Sequence, residues 1–132
     1  MAWLYMGEVF TDEMVGDYVG FVYEITNLAN GKKYIGKKRF TQTRKKVSTK
    51  KKRPIRVTKS SDWQSYAGSS RSLQEDIQAL GEEVFKKEII RLCKTKGEMS
   101  YYEAKAQFDA DVLLSDCYYN TFIGCRIHKN HL

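Results

Sequence analysis

The chain has 132 residues, a formal net charge of +7 and 42% hydrophobic residues, enough for one domain with a single core that needs no disulfide or metal staples. No run of about 18 apolar residues occurs and no basic-then-apolar leader opens the sequence, so neither a membrane span nor export is expected and the chain reads as cytoplasmic. Cys93, Cys117 and Cys125 form no CxxC pair and are odd in number, the pattern of reduced thiols.

Trp3, Tyr5 and Phe10 make residues 1–18 an N-terminal extension packed on a domain that follows over 19–132. In the next segment, alternation puts Val19, Phe21, Tyr23 and Ile25 on one strand face, with Val22, Glu24 and Thr26 on the other. Asn30-Gly31 signals the turn of a hairpin whose second strand holds Tyr34-Ile35-Gly36-Lys37-Lys38. A loop centred between Leu28 and Ala29 sets Tyr23 opposite Tyr34, whereas a two-residue turn at Asn30-Gly31 shifts the register; both stay open. Gly36 shares the face of Tyr34 and leaves space beside its phenol. Two tyrosines on a hairpin are ordinarily cross-strand packing, but here they lead into the most basic run of the chain.

Fourteen of the 23 Lys and Arg residues lie between positions 32 and 59 with no Asp or Glu among them, so the rest of the chain holds nine basic against all 16 acidic residues. With few apolar side chains to bury, the insert at about 44–60 is expected to be a weakly ordered loop. Concentrated positive charge favours a polyanion through counterion release. The candidates for phosphate contact are Lys37, Lys38, Arg39, Lys45, Lys46, Lys50, Lys51, Lys52, Arg53, Arg56 and Arg71. Such contacts position a nucleic acid without reading its sequence. A solvated insert without a partner is the alternative reading.

After the return of aromatic and small residues at 60–70, Ser72 and Glu75 form a capping-box pattern, Leu73, Ile77 and Leu80 recur at helical spacing, and Gly81 suits the stop. Residues 84–93 are rich in β-branched and aromatic side chains and apolar on both faces near their end, which predicts a central strand. Lys96-Gly97 reads as a break before a helix over 98–114, whose stripe is Met99, Tyr102, Ala106, Ala110 and Leu113. Glu103 falls inside that stripe. A carboxylate there needs a partner, either a Lys or Arg or a hard divalent cation such as Mg2+ or Mn2+. The whole predicts an α/β (α+β) fold, a small, mainly antiparallel three-stranded sheet flanked by helices.

The hairpin resembles the signature of the GIY-YIG endonuclease superfamily. Phe21-Val22-Tyr23 stands for the first triplet, with Phe in place of its Gly although Gly20 sits just before, and Tyr34-Ile35-Gly36 matches the second. Ser69-Ser70 ahead of the Leu73 helix is similar to a small stand-alone phage-type branch. The resemblance implies a metal-dependent DNA endonuclease acting in the cytoplasm of a host cell, with Tyr23 as general base, Tyr34 orienting water or phosphate, and Glu103 binding one Mg2+ or Mn2+. It further implies an arginine on phosphate, Arg44 by ungapped count with Arg39 and Arg71 as substitutes, and Asn120 as a brace. A histidine that some members carry is replaced by Ser48. With only a few residues after Gly124, specificity is expected to come from the insert, a homodimer or an accessory protein. A non-catalytic nucleic-acid-binding module with the same fold is the alternative.

Overall fold

A computed structural model describes residues 2–48 and 51–132, and at 42–59 the backbone course without side chains. Strands β3 (Gly20–Asn27) and β4 (Lys33–Arg39) form the antiparallel hairpin, with Tyr23 opposite Gly36 and Ile25 opposite Tyr34. The observed register is neither of the two expected ones: the loop is centred between Ala29 and Asn30. Its turn closes where the Asn27 N–H donates to the Lys32 carbonyl at 2.8 Å and the Gly31 N–H to the Asn27 carbonyl at 2.7 Å. Gly31 has φ +76°, a conformation that costs glycine little.

Strand β7 (Phe85–Cys93) pairs with the other side of β3 and is central, as its composition predicts. Its bulge at Ile90, which the register skips between Ile89 and Arg91, puts Ile89 and Leu92 on one face and leaves Ile90 exposed. The sheet has five strands rather than three. The N-terminal segment contributes β1 (Trp3–Tyr5), parallel to β7, and β2 (Glu8–Val9), antiparallel to β1, in the order β2-β1-β7-β3-β4. Two such short strands carry too few alternations to be read from sequence.

The basic insert also departs from expectation. Instead of a weakly ordered loop, β5 (Thr41–Ser48) and β6 (Lys51–Ser60) form a two-stranded antiparallel ribbon. Most cations there stand opposite an uncharged residue, as in Arg44 opposite Val57 and Lys46 opposite Ile55, with Lys45 opposite Arg56 the exception. That spacing limits cross-strand repulsion, and the β-branched residues supply strand propensity.

Helix α1 (Arg71–Leu80) is capped by Ser70, whose Oγ accepts the Leu73 N–H at 3.4 Å, and not by the Ser72–Glu75 pattern. Leu73 and Ile77 are buried, whereas Leu80, beside the stop at Gly81, is exposed. Helix α2 (Lys96–Asp109) starts before Gly97, because Thr95 Oγ1 accepts the Glu98 N–H at 3.0 Å and the Glu98 carboxylate accepts the Lys94 N–H at 2.8 Å. Only glycine fits at position 97 in that first turn, because a Cβ there would strike the His131 carbonyl. The helix ends early, at a left-handed Asp111 with φ 51°, which turns Val112 inward in place of Leu113.

Two cores result. On one face of the sheet, Trp3, Phe10, Phe21, Tyr23, Phe40 and Trp63 pack beneath α1, with Trp3 edge-on to Phe21 and Trp63 edge-on to Phe10 and Phe40. On the other, Val22, Ile35, Cys93 and Met99 pack beneath α2.

Candidate active site

β4 is an edge strand, and the site lies along that edge. Successive residues of a strand point to opposite faces, so Tyr34 comes from the aromatic side and Lys37 from the α2 side, the two meeting around the rim. A cavity of about 470 Å³ there is lined by Tyr34, Lys37, Arg71, Glu103, Asn120 and Phe122, among others.

The far wall is built on Asn120. Chain 117–119 runs beside β4, with the Lys33 N–H donating to the Cys117 carbonyl at 2.9 Å and the Tyr119 N–H to the Lys33 carbonyl at 2.7 Å. Asn120 then continues the pairing with its side chain: Oδ1 accepts the Ile35 N–H at 3.1 Å and Nδ2 donates to the Ile35 carbonyl at 2.8 Å. Gln107 donates to the same carbonyl at 3.0 Å. Tyr119 ties this wall to α1 by donating to Asp76 at 2.6 Å.

Glu103 projects from α2 with its side chain 14% exposed, and Lys37 Nζ lies 3.9 Å away. Lys37 donates instead to Ser100 Oγ at 2.9 Å. Burial raises the Glu103 pKa above the ordinary carboxylate value, and Lys37 offsets this in part. The carboxylate is largely withdrawn from water, and Lys37 is its partner, through its ammonium and its backbone N–H. Among the described residues no three His, Cys, Asp or Glu gather as a ligand cluster. One carboxylate opening on a cavity nevertheless suits Mg2+ or Mn2+, which keep several waters and need few protein oxygens.

The two phenols differ. Tyr34 Oη is 3.1 Å from Ser69 Oγ and faces the cavity. Burial raises its pKa, and the Ser69 hydrogen bond works the other way. Tyr23 is 1% exposed and lies behind, where a Cβ on Gly36 would sit 2.5 Å from its hydroxyl. Gly36 thus leaves room beside Tyr34, and that room is filled by the Tyr23 phenol. Burial, then Tyr66 and Tyr34, push the Tyr23 pKa well above the usual phenol value. The field that a phenolate base requires is not supplied by these neighbours.

The family model described as "Putative endonuclease segE, GIY-YIG domain" matches residues 3–123. The chain belongs to the GIY-YIG family. A relative in Enterobacteria phage T4, named "Putative endonuclease segE", is 33% identical over 100 residues, which are 76% of this chain and 39% of that protein. The chain thus spans about two fifths of the length of this relative. No solved structure matches.

Of the residues carried over from the GIY-YIG signature, Tyr34, Glu103 and Asn120 meet at the cavity with Lys37 and Arg71, and Tyr23 stands behind them. Arg71 Nε reaches Glu75 at 3.3 Å from a side chain that is otherwise open to solvent. Arg39 is not among the lining residues, and its Nε is buried without a hydrogen-bond partner. Lys38 turns to the aromatic side, where it pairs with Asp62 at 2.7 Å over the Tyr66 ring. Lys50 and the side chains of Arg44, Lys45, Lys46, Lys51, Lys52, Arg53 and Arg56 lie outside the described residues.

Sequence reasoning missed two groups that support this GIY-YIG site. Tyr66 hydrogen-bonds the Tyr23 phenol, their ring centroids 6.1 Å apart. Lys87 is 1% exposed and donates to the Gln64 and Tyr66 carbonyls at 3.2 and 2.7 Å, with Trp3 against it. Lys87 alternates with Phe85 and Ile89 on the buried face of β7, and a lysine at an apolar position was the available signal.

Proposed function

We propose that this chain is a DNA endonuclease that hydrolyses phosphodiester bonds with one Mg2+ or Mn2+ held by Glu103. The observation that carries the reading is the Glu103 carboxylate, largely withdrawn from water and opening on a cavity shared with Tyr34, Lys37 and Arg71. A divalent ion bound there supplies a counter-charge for the non-bridging and leaving oxygens of the phosphate. Arg71 offers its fork of donors to the phosphate oxygens, and Lys37 adds a point charge beside Glu103.

Tyr34 is the phenol that meets water in this reading. With its proton retained by burial, it orients the attacking water or a phosphate oxygen. Transfer of the water's proton to this phenol requires prior ionisation, which the charge of the bound ion favours. Its burial favours Tyr23 as the support beneath Tyr34 over Tyr23 as the base. Asn120 braces the Ile35 peptide between Tyr34 and Gly36. The cationic β5–β6 ribbon adds a sequence-independent hold on the DNA backbone.

The test is cleavage of plasmid by the purified protein with Mg2+ or Mn2+, followed by mapping of the ends. The expected products carry 5′-phosphate and 3′-hydroxyl groups by family analogy. Tyr34→Phe is expected to lower the rate more than Tyr23→Phe, and Glu103→Ala to abolish cutting. Salt-sensitive DNA binding with no cleavage under any metal would leave a non-catalytic binding module in its place.

A further inference from the structure

Phe122 is 74% exposed and stands on the wall of the Glu103 cavity. A lone exposed phenylalanine is ordinary, but this one has a fixed foundation. Two residues before it, Asn120 is clamped by two hydrogen bonds to Ile35, and Gly124 lies close enough that a Cβ there would be 3.6 Å from the ring. Among the described residues the ring has no aromatic or cationic partner of its own.

The cavity is also nucleotide-sized. At about 470 Å³ it has the volume of a small-molecule pocket, enough to take a single nucleotide whose phosphate approaches Glu103. Ser69, Ser70 and Arg71 form the wall where that phosphate has its polar contacts, and the apolar surface for its base is Phe122. Bases stack on exposed aromatic faces irrespective of their identity, and withdrawing a base is easiest where it is already unpaired.

We propose that Phe122 is a stacking platform for an unstacked nucleobase and that the cavity favours DNA with unpaired bases at the cut. This rests on the nuclease reading. Its test uses Glu103→Gln without metal, titrated by fluorescence anisotropy with a labelled short duplex and with the same duplex carrying one mismatch. The mismatched duplex is expected to bind about tenfold more tightly. Adding Phe122→Ala should erase that preference, and Phe122→Trp should retain it. A photoreactive 5-iodouracil at the mismatch should crosslink to Phe122.

Equal binding of the two duplexes, or a preference that survives Phe122→Ala, overturns the inference. If the wild-type protein still cuts DNA in that case, the nuclease reading stands and only the stacking role falls. If no variant binds DNA at all, both fall together.

Discussion

Lys87 and Glu103 are both charged and both withdrawn from water, yet the fold treats them in opposite ways. Lys87 sits in the aromatic layer, where two carbonyls and the Trp3 ring receive its ammonium. Glu103 sits across the sheet at the cavity, with an ammonium 3.9 Å away that is engaged by Ser100. A buried charge whose donors are all met serves stability, whereas one that opens on a cavity can be offered to a ligand. The contrast separates the part of the domain that holds the 62–68 segment in place from the part proposed to do chemistry.

The largest effect should come from Glu103→Gln. Removing the carboxylate proposed to hold the metal is expected to lower the cleavage rate by about a thousandfold, while stability moves by less than about 1 kcal/mol because a raised-pKa carboxylate contributes little to folding. Plasmid nicking and urea unfolding read the two halves. A large loss of stability would place Glu103 with Lys87 as a structural charge and break the contrast.

Gly36→Ala probes the seam between the regions. The new methyl would meet the Tyr23 hydroxyl at 2.5 Å and Tyr34 Cε2 at 3.0 Å, so one phenol must move. The expected cost is about 1–3 kcal/mol, with a fall in cleavage rate larger than the lost folded fraction explains. A variant that unfolds early but cuts normally when folded would show that the phenol geometry is not part of the site.

Lys87→Met leaves the Gln64 and Tyr66 carbonyls without their donor. Part of that cost is returned because an ammonium no longer has to be desolvated, and the net loss is expected near 2 kcal/mol by urea denaturation. Unchanged stability would mean that the aromatic layer alone holds the segment.

The same distinction explains what could be read from the chain. The β3–β4 hairpin was legible because its alternation is long and its turn carries Gly31, and Glu103 was legible because a carboxylate interrupts an apolar stripe. The register was not, since the turn residues fit more than one spacing and the observed loop, centred between Ala29 and Asn30, is neither of the two expected. Tyr66 and Lys87 were illegible for a different reason. Each matters through a partner distant in sequence, Tyr23 for one and the Gln64 and Tyr66 carbonyls for the other; the apolar position of Lys87 flagged the residue, but no local pattern records either meeting. Ser70 lost to Ser72 as the expected cap because both serines suit the role, and only the Leu73 N–H decides between them.

The smallest predicted effect is on pH, and it isolates Lys87 from everything else. Burial pulls its pKa down to about 8, against the opposing pull of Glu82, while a lysine in the unfolded chain titrates near 10.4. Between pH 8 and about 10 the unfolded chain therefore holds a proton that the folded protein has released. Stability must rise with pH across that window, by up to about 1 kcal/mol per unit. Below pH 8 both states are protonated and the slope from this group vanishes. Above about pH 10 the trend reverses, because unfolded tyrosines lose protons that the raised pKa values of Tyr23 and Tyr34 retain in the folded state. The urea midpoint of the wild-type protein should climb from pH 8 to 10, and that of Lys87→Met should not. Parallel curves would mean that the two carbonyls and the Trp3 ring hold the ammonium strongly enough to cancel the cost of its burial.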